Sequence, residues 1–77
     1  MINNMKRMII KMDQKVKDFH KALNKLNINT KYVEKNVFNK IVAEEMNKHP
    51  NDADTTVYYV KKRFDAYVDD IIKRSKL

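Results

Sequence analysis

The 77-residue sequence has no cysteine, no glycine and no tryptophan, and a single proline, Pro50. Without cysteine there is no disulfide and no thiolate metal site to brace a small fold. Without glycine, tight β-hairpins and phosphate-cradling loops lose the residue they depend on. No stretch alternates apolar and polar residues as a half-buried strand does. No apolar run approaches the roughly 18 residues that a membrane span needs. These absences leave an all-α chain of one domain.

The same shortages weigh against catalysis. A nucleophile needs an activating base and a group to orient that base. Ser75 stands at the end of the last predicted helix, and the two histidines, His20 and His49, fall on different elements. The run Asn51-Asp52-Ala53-Asp54 resembles the start of a calcium loop but lacks the central glycine and the terminal glutamate. The expectation is a protein that is not an enzyme, with no cofactor, no metal and no membrane segment. Lys6 and Arg7 resemble the basic start of a secretory signal, yet Lys11 and Asp13 interrupt the apolar stretch that would have to follow. The expected location is the cytoplasm. The abundance of lysine, asparagine and isoleucine fits an AT-rich coding genome, such as a low-GC bacterium or its phage.

What the chain does have is positive charge. The formal net charge is +7, with a pI near 9.7. It is unevenly placed: +5 over residues 1–26, +1 over 27–50 and +1 over 51–77. A polyanion would meet the first helix before anything else.

That helix is expected over about residues 3–26. Ile2, Met5, Ile9, Met12, Val16, Phe19, Leu23 and Leu26 recur at alternating steps of three and four, a 3.5-residue repeat. Mostly β-branched residues at one seam position suit a parallel two-stranded coil, and a long helix of an antiparallel bundle shows the same seam. Both arrangements are open at this point. Ile2, Met5, Ile9 and Met12 are the candidate dimer contacts, because the second helix is shorter and leaves that end overhanging. Arg7, Lys11, Lys17, Lys21 and Lys25 lie away from the seam and would neutralise phosphates.

Asn27–Thr30 breaks the pattern, and Asn29 or Thr30 caps a second helix over about 31–48. Val33, Val37, Phe38, Ile41, Val42 and Met46 give it a broad apolar arc, into which Glu45 intrudes. Glu45 there is either at a fraying end or paired with a cation such as Arg63. Pro50 closes the helix, and Asp52, Asp54 or Thr55 caps a third over about 55–75. On that helix Val57, Val60, Phe64, Tyr67, Val68 and Ile71 form one stripe, with Tyr58, Tyr59 and Lys62 opposite and Arg63 at the flank. The architecture expected is a three-helix bundle with a long N-terminal helix and a helix-turn-helix-like second and third helix.

A helix-turn-helix presents the N-terminal residues of its second helix to base edges, which singles out Thr55, Thr56, Tyr58, Tyr59, Lys62 and Arg63. The runs Phe38-Asn39-Lys40-Ile41-Val42-Ala43 and Val60-Lys61-Lys62-Arg63-Phe64 resemble Myb/SANT-type three-helix domains. The spacing between them is longer than in that family and the tryptophans are missing, so no residue role carries over. Asp52 and Asp54 at the entrance would repel phosphate.

The reading favoured by the sequence is a small basic DNA-binding protein, dimeric through the first helix, serving as a regulator or accessory factor of a phage or other mobile element. The alternative is a protein-binding module, or a small phage-type inhibitor, docking on a host protein through Tyr58, Tyr59 and Arg63, residue types that suit interface hot spots.

Overall fold

A computed structural model describes the backbone of residues 2–77 and the side chains of residues 14–77. The chain is all-α, in three helices. Helix α1 spans Ile2–Lys25. Helix α2 runs over residues 30–48, as an α-helical turn Thr30–Tyr32, a π-helical stretch Val33–Phe38 and an α-helix Asn39–Lys48. Helix α3 spans Ala53–Ser75. No described helix is long and apolar enough to cross a membrane.

Each chain reversal has a local cause. Asn27 adopts a left-handed backbone with φ 58°, which asparagine tolerates better than most residues. This lets Ile28 N–H donate to the Leu23 carbonyl at 2.8 Å and Asn27 N–H to the Asn24 carbonyl at 3.1 Å. The pattern closes α1 as a Schellman motif, with Ile28 packed beside the core. Asn29 then caps α2, its side-chain oxygen accepting from Lys31 N–H at 2.8 Å. Asp52 caps α3 by accepting from Thr55 N–H at 3.0 Å and from its hydroxyl at 2.6 Å. Thr56, buried in the first turn, donates back to the Asp52 carbonyl at 2.8 Å.

Cross-helix partners define how the helices run. Phe38 meets Phe64, Glu45 meets Arg63 and His49 meets Tyr59. Partners that advance in opposite directions make α2 and α3 an antiparallel hairpin along most of its length. On the other flank Lys15 pairs with Asp65 and Asp69, while Lys25 lies in a groove with Ser75 and Lys76, so α1 runs parallel to α3. Helix α3 thus packs against both neighbours, whereas α1 and α2 make few direct contacts.

The core collects where all three helices meet: Phe19, Ala22 and Leu23 of α1, Val33 of α2, and Val68 and Ile71 of α3, with Leu26, Ile28, Val37, Phe64 and Tyr67 around them. Phe19 sets its ring edge-on to Phe64 and Tyr67 at 6.1 and 6.4 Å. The radius of gyration is 14.7 Å, against about 11.5 Å for a compact domain of this length. The arrangement is open at the other end.

That openness accounts for where the expected core and the structure differ. Within α2 only Val33, Ile41 and Glu45 are buried, because α1 does not cover the other flank of its apolar arc. Phe38 and Met46 remain exposed, as do Val57 of α3 and Val16 of α1. The residues predict a regular helical period across Val33–Phe38; the wider π turn that forms there has no signature in their spacing.

Candidate interaction surfaces

Of the residues expected to face a nucleic acid from α3, several have work inside the molecule. Arg63 reaches back to α2 and forms a fork, one guanidinium nitrogen 2.8 Å from Glu45 Oε2 and the other 2.9 Å from Glu44 Oε2. Glu45 is only 3 % exposed and also has Lys48 at 3.5 Å and His49 at 3.4 Å. Burial pushes its carboxyl pKa up, but the Arg63 hydrogen bond and the charges of Lys48 and Arg63 outweigh burial and hold it below its ordinary value. Arg63 is raised in turn, first by its bond to Glu44 and then by that to Glu45. Glu45 is therefore the ion-pair partner of Arg63, not a residue of a fraying end.

Thr55 and Thr56 are occupied by the Asp52 cap. The Thr55 bonds hold the Asp52 carboxyl below its ordinary pKa. Tyr59 stacks on His49 with ring centroids 5.3 Å apart and planes 9° from parallel. Tyr58 stands edge-on to Tyr59 at 5.2 Å and is 60 % exposed. Lys62 is exposed. Further along the same helix the outer face turns acidic: Asp65 and Asp69 pair with Lys15, and Asp70 pairs with Arg74 at 3.0 Å. Lys15 is raised above its ordinary pKa by the Asp65 and then the Asp69 hydrogen bond. Asp65 and Asp69 thus pair across to α1, although Lys61 and Lys73 stand four residues away from them on their own helix.

The back of α1 is different. Lys17, Lys21 and Lys25 are all exposed and, among the described residues, none of them is in an ion pair. They repeat every four residues, a step of about 6 Å along the helix axis. Arg7 and Lys11, expected to extend this ridge, lie outside the described side chains, as do the expected dimer contacts Ile2, Met5, Ile9 and Met12.

A third surface has no counterpart among the sequence expectations. An open cleft of about 770 Å³ between α1 and α3 has walls of Val16, Phe19, Tyr58, Phe64 and Val68, with Lys15, Lys62 and Asp65 at its rim. A second, of about 740 Å³, lies between α2 and α3 and is walled by Phe38, Val42, Met46, Val57 and Val60. Lys61 borders both, so the clefts adjoin across one strip of α3. Most of these wall residues have the spacing of a buried stripe, which assigns them to the core; no one-dimensional signal separates a covered stripe from an uncovered one.

Among the described residues no cluster of His, Asp and Glu could hold a metal ion, and no buried side-chain polar atom lacks a partner. Comparison of the chain with protein-family models, with curated proteins and with solved structures finds no match. The functional reading therefore rests on these surfaces.

Proposed function

We propose that this protein is a small basic DNA-binding protein that grips the phosphate backbone with α1 instead of reading bases with α3. The observation that carries the reading is the exposed row of Lys17, Lys21 and Lys25 along α1, none of them ion-paired among the described residues although Asp18 stands beside Lys21 and Lys25. Lysines so placed bind by releasing counterions, without regard to sequence. In this reading the helices form an open three-helix bundle. Helix α3 is set back from the partner, since its Arg63 is held by Glu44 and Glu45 and its outer face carries Asp65, Asp69 and Asp70. An antiparallel hairpin also differs from the near-perpendicular crossing of a helix-turn-helix. The role that fits is a cytoplasmic accessory factor of a mobile element in a low-GC bacterium, binding as a dimer.

The test is a fluorescence-anisotropy titration against a labelled duplex over a range of salt. Replacing Lys17, Lys21 and Lys25 together by Gln is expected to flatten the slope of log K against log[salt] by about 2.7, or about 0.9 per lost phosphate contact. Lys62→Gln is expected to change it by less than one contact. Absence of binding at low salt overturns the reading.

A protein-binding module or phage-type inhibitor is the second reading, favoured by the exposure of Tyr58 at the mouth of an apolar cleft. It is supported if the duplex does not bind and a purified host protein is captured by the wild type but not by Tyr58→Ala of unchanged melting temperature.

A further inference from the structure

We infer that the apolar face formed by the two adjoining clefts receives the N-terminal half of α1 from a second copy of this chain, each copy seating its helix on the other. This is independent of nucleic-acid binding. The face is built from Val57, Val60 and Phe64 of α3 with Phe38, Val42 and Met46 of α2. Val57 is 51 % exposed and Met46 57 % exposed. A contiguous apolar surface of this kind on a small protein marks an association site.

The chain itself carries an occupant of matching chemistry. Ile2, Met5, Ile9 and Met12 repeat at steps of three and four, a seam about 15 Å long at the helical rise. The same seam continues into Phe19, Leu23 and Leu26, which already pack against the C-terminal half of α3. Its N-terminal members thus have the spacing that suits this helix, and in the N-terminal half of α3 Val57 is left uncovered beside Phe38 and Met46 of α2, while Val60 is buried. Methionines adapt to such a groove because their side chains are unbranched and flexible.

A second molecule is favoured over the chain's own segment by Val16. It follows Met12 in the seam and is 53 % exposed, although Phe19 and Leu23 beyond it are buried. At this level α1 is held to α3 by the ion pairs of Lys15 with Asp65 and Asp69, while the apolar seam itself is uncovered at Val16. Stability argues the same way. The core of a single copy is small and no cysteine is present to brace it, so association is a ready source of further stability. Exchange of one helix between identical copies closes as a twofold dimer.

The absence of native cysteine allows a direct test in the full chain. Ile9→Cys and Val57→Cys are made as separate variants, mixed, oxidised and examined on a non-reducing gel with peptide mapping. The expected product is a dimer whose disulfide joins position 9 of one copy to position 57 of the other. Wild type is expected to sediment as a dimer, and Val57→Glu as a monomer that circular dichroism shows to be folded. Three results overturn the inference. The first is a dimer joined only through position 9 of both copies, which is a parallel α1 coil. The second is an internal disulfide without dimer when both changes are in one chain. The third is a wild type that stays monomeric throughout the concentration range. The two readings are told apart because Val57→Glu keeps Lys17, Lys21 and Lys25: loss of the dimer with salt-dependent DNA binding retained per copy separates the association face from the phosphate contacts.

Discussion

The two halves of α3 meet opposite surroundings. Its C-terminal half, Phe64 to Ile71, is enclosed by α1 and by the start of α2, and buries apolar side chains on both flanks. Its N-terminal half, Ala53 to Arg63, has α2 on one flank and, among the described side chains, only Lys15 and Val16 of α1 across an open cleft on the other. There the firmest contact to α2 is polar, the fork of Arg63 onto Glu44 and Glu45, while Val57 and Tyr58 face outward. Both halves have the same helical period of apolar residues. The difference is the number of neighbours, and it shows that an amphipathic stripe specifies a wish to be covered without specifying what covers it.

The sharpest way to break the closed end is Leu23→Ala. Leu23 is fully buried at the meeting point of the helices. Truncation is expected to cost about 3 kcal/mol, which lowers Tm by roughly 15 °C in a domain of this size. A loss in thermal unfolding of only a few degrees would mean that the core is far looser than described.

The open end should fail for a different reason. Arg63→Ala leaves the Glu45 carboxylate buried beside only Lys48 and His49, and the expected drop in Tm is roughly 10 °C. Acid sharpens the contrast. The folded-state pKa values of Glu45 and Asp52 lie below their ordinary values. On acidification the unfolded chain takes up protons first, so their contribution is complete above the ordinary carboxylate range and disappears as pH falls through the lowered values. In Arg63→Ala, burial is left to push Glu45 upward, and the loss of Tm should begin at higher pH than in wild type. Identical pH profiles for the two proteins would show that Arg63 does not set the Glu45 ionisation.

The smallest effect is expected from Val57→Thr. The side chain is half exposed within one molecule, so at the lowest workable protein concentration Tm should change by less than about 3 °C. At a hundredfold higher concentration the wild type should gain Tm through mass action and the variant should gain less. Equal concentration dependence would remove Val57 from the association face.

Much of this molecule is readable from local chemistry. The seam of α1 identifies Phe19, Leu23 and Leu26 as packing residues, and they are. Asn29 and Asp52 are readable as caps because short polar side chains compete for free N–H groups at helix starts. Glu45 is harder. A carboxylate inside an apolar arc is compatible with a frayed end or a buried partner, and only the approach of Arg63, eighteen residues away, decides between them. The candidate contacts on α3 are separated by the same kind of information. Tyr58 is exposed, while Arg63 and Thr56 are turned inward by partners on α2 and in the connecting turn.

The number of helices, their ends and the two chain reversals follow from residue type and spacing, because caps, helical period and the left-handed Asn27 act over a few neighbours. Which stripe was covered, which cation was neutralised and which flank of α3 stayed open came from contacts between residues far apart in the chain. Burial and ion pairing depend on what stands opposite, and spacing along a single helix carries no record of that.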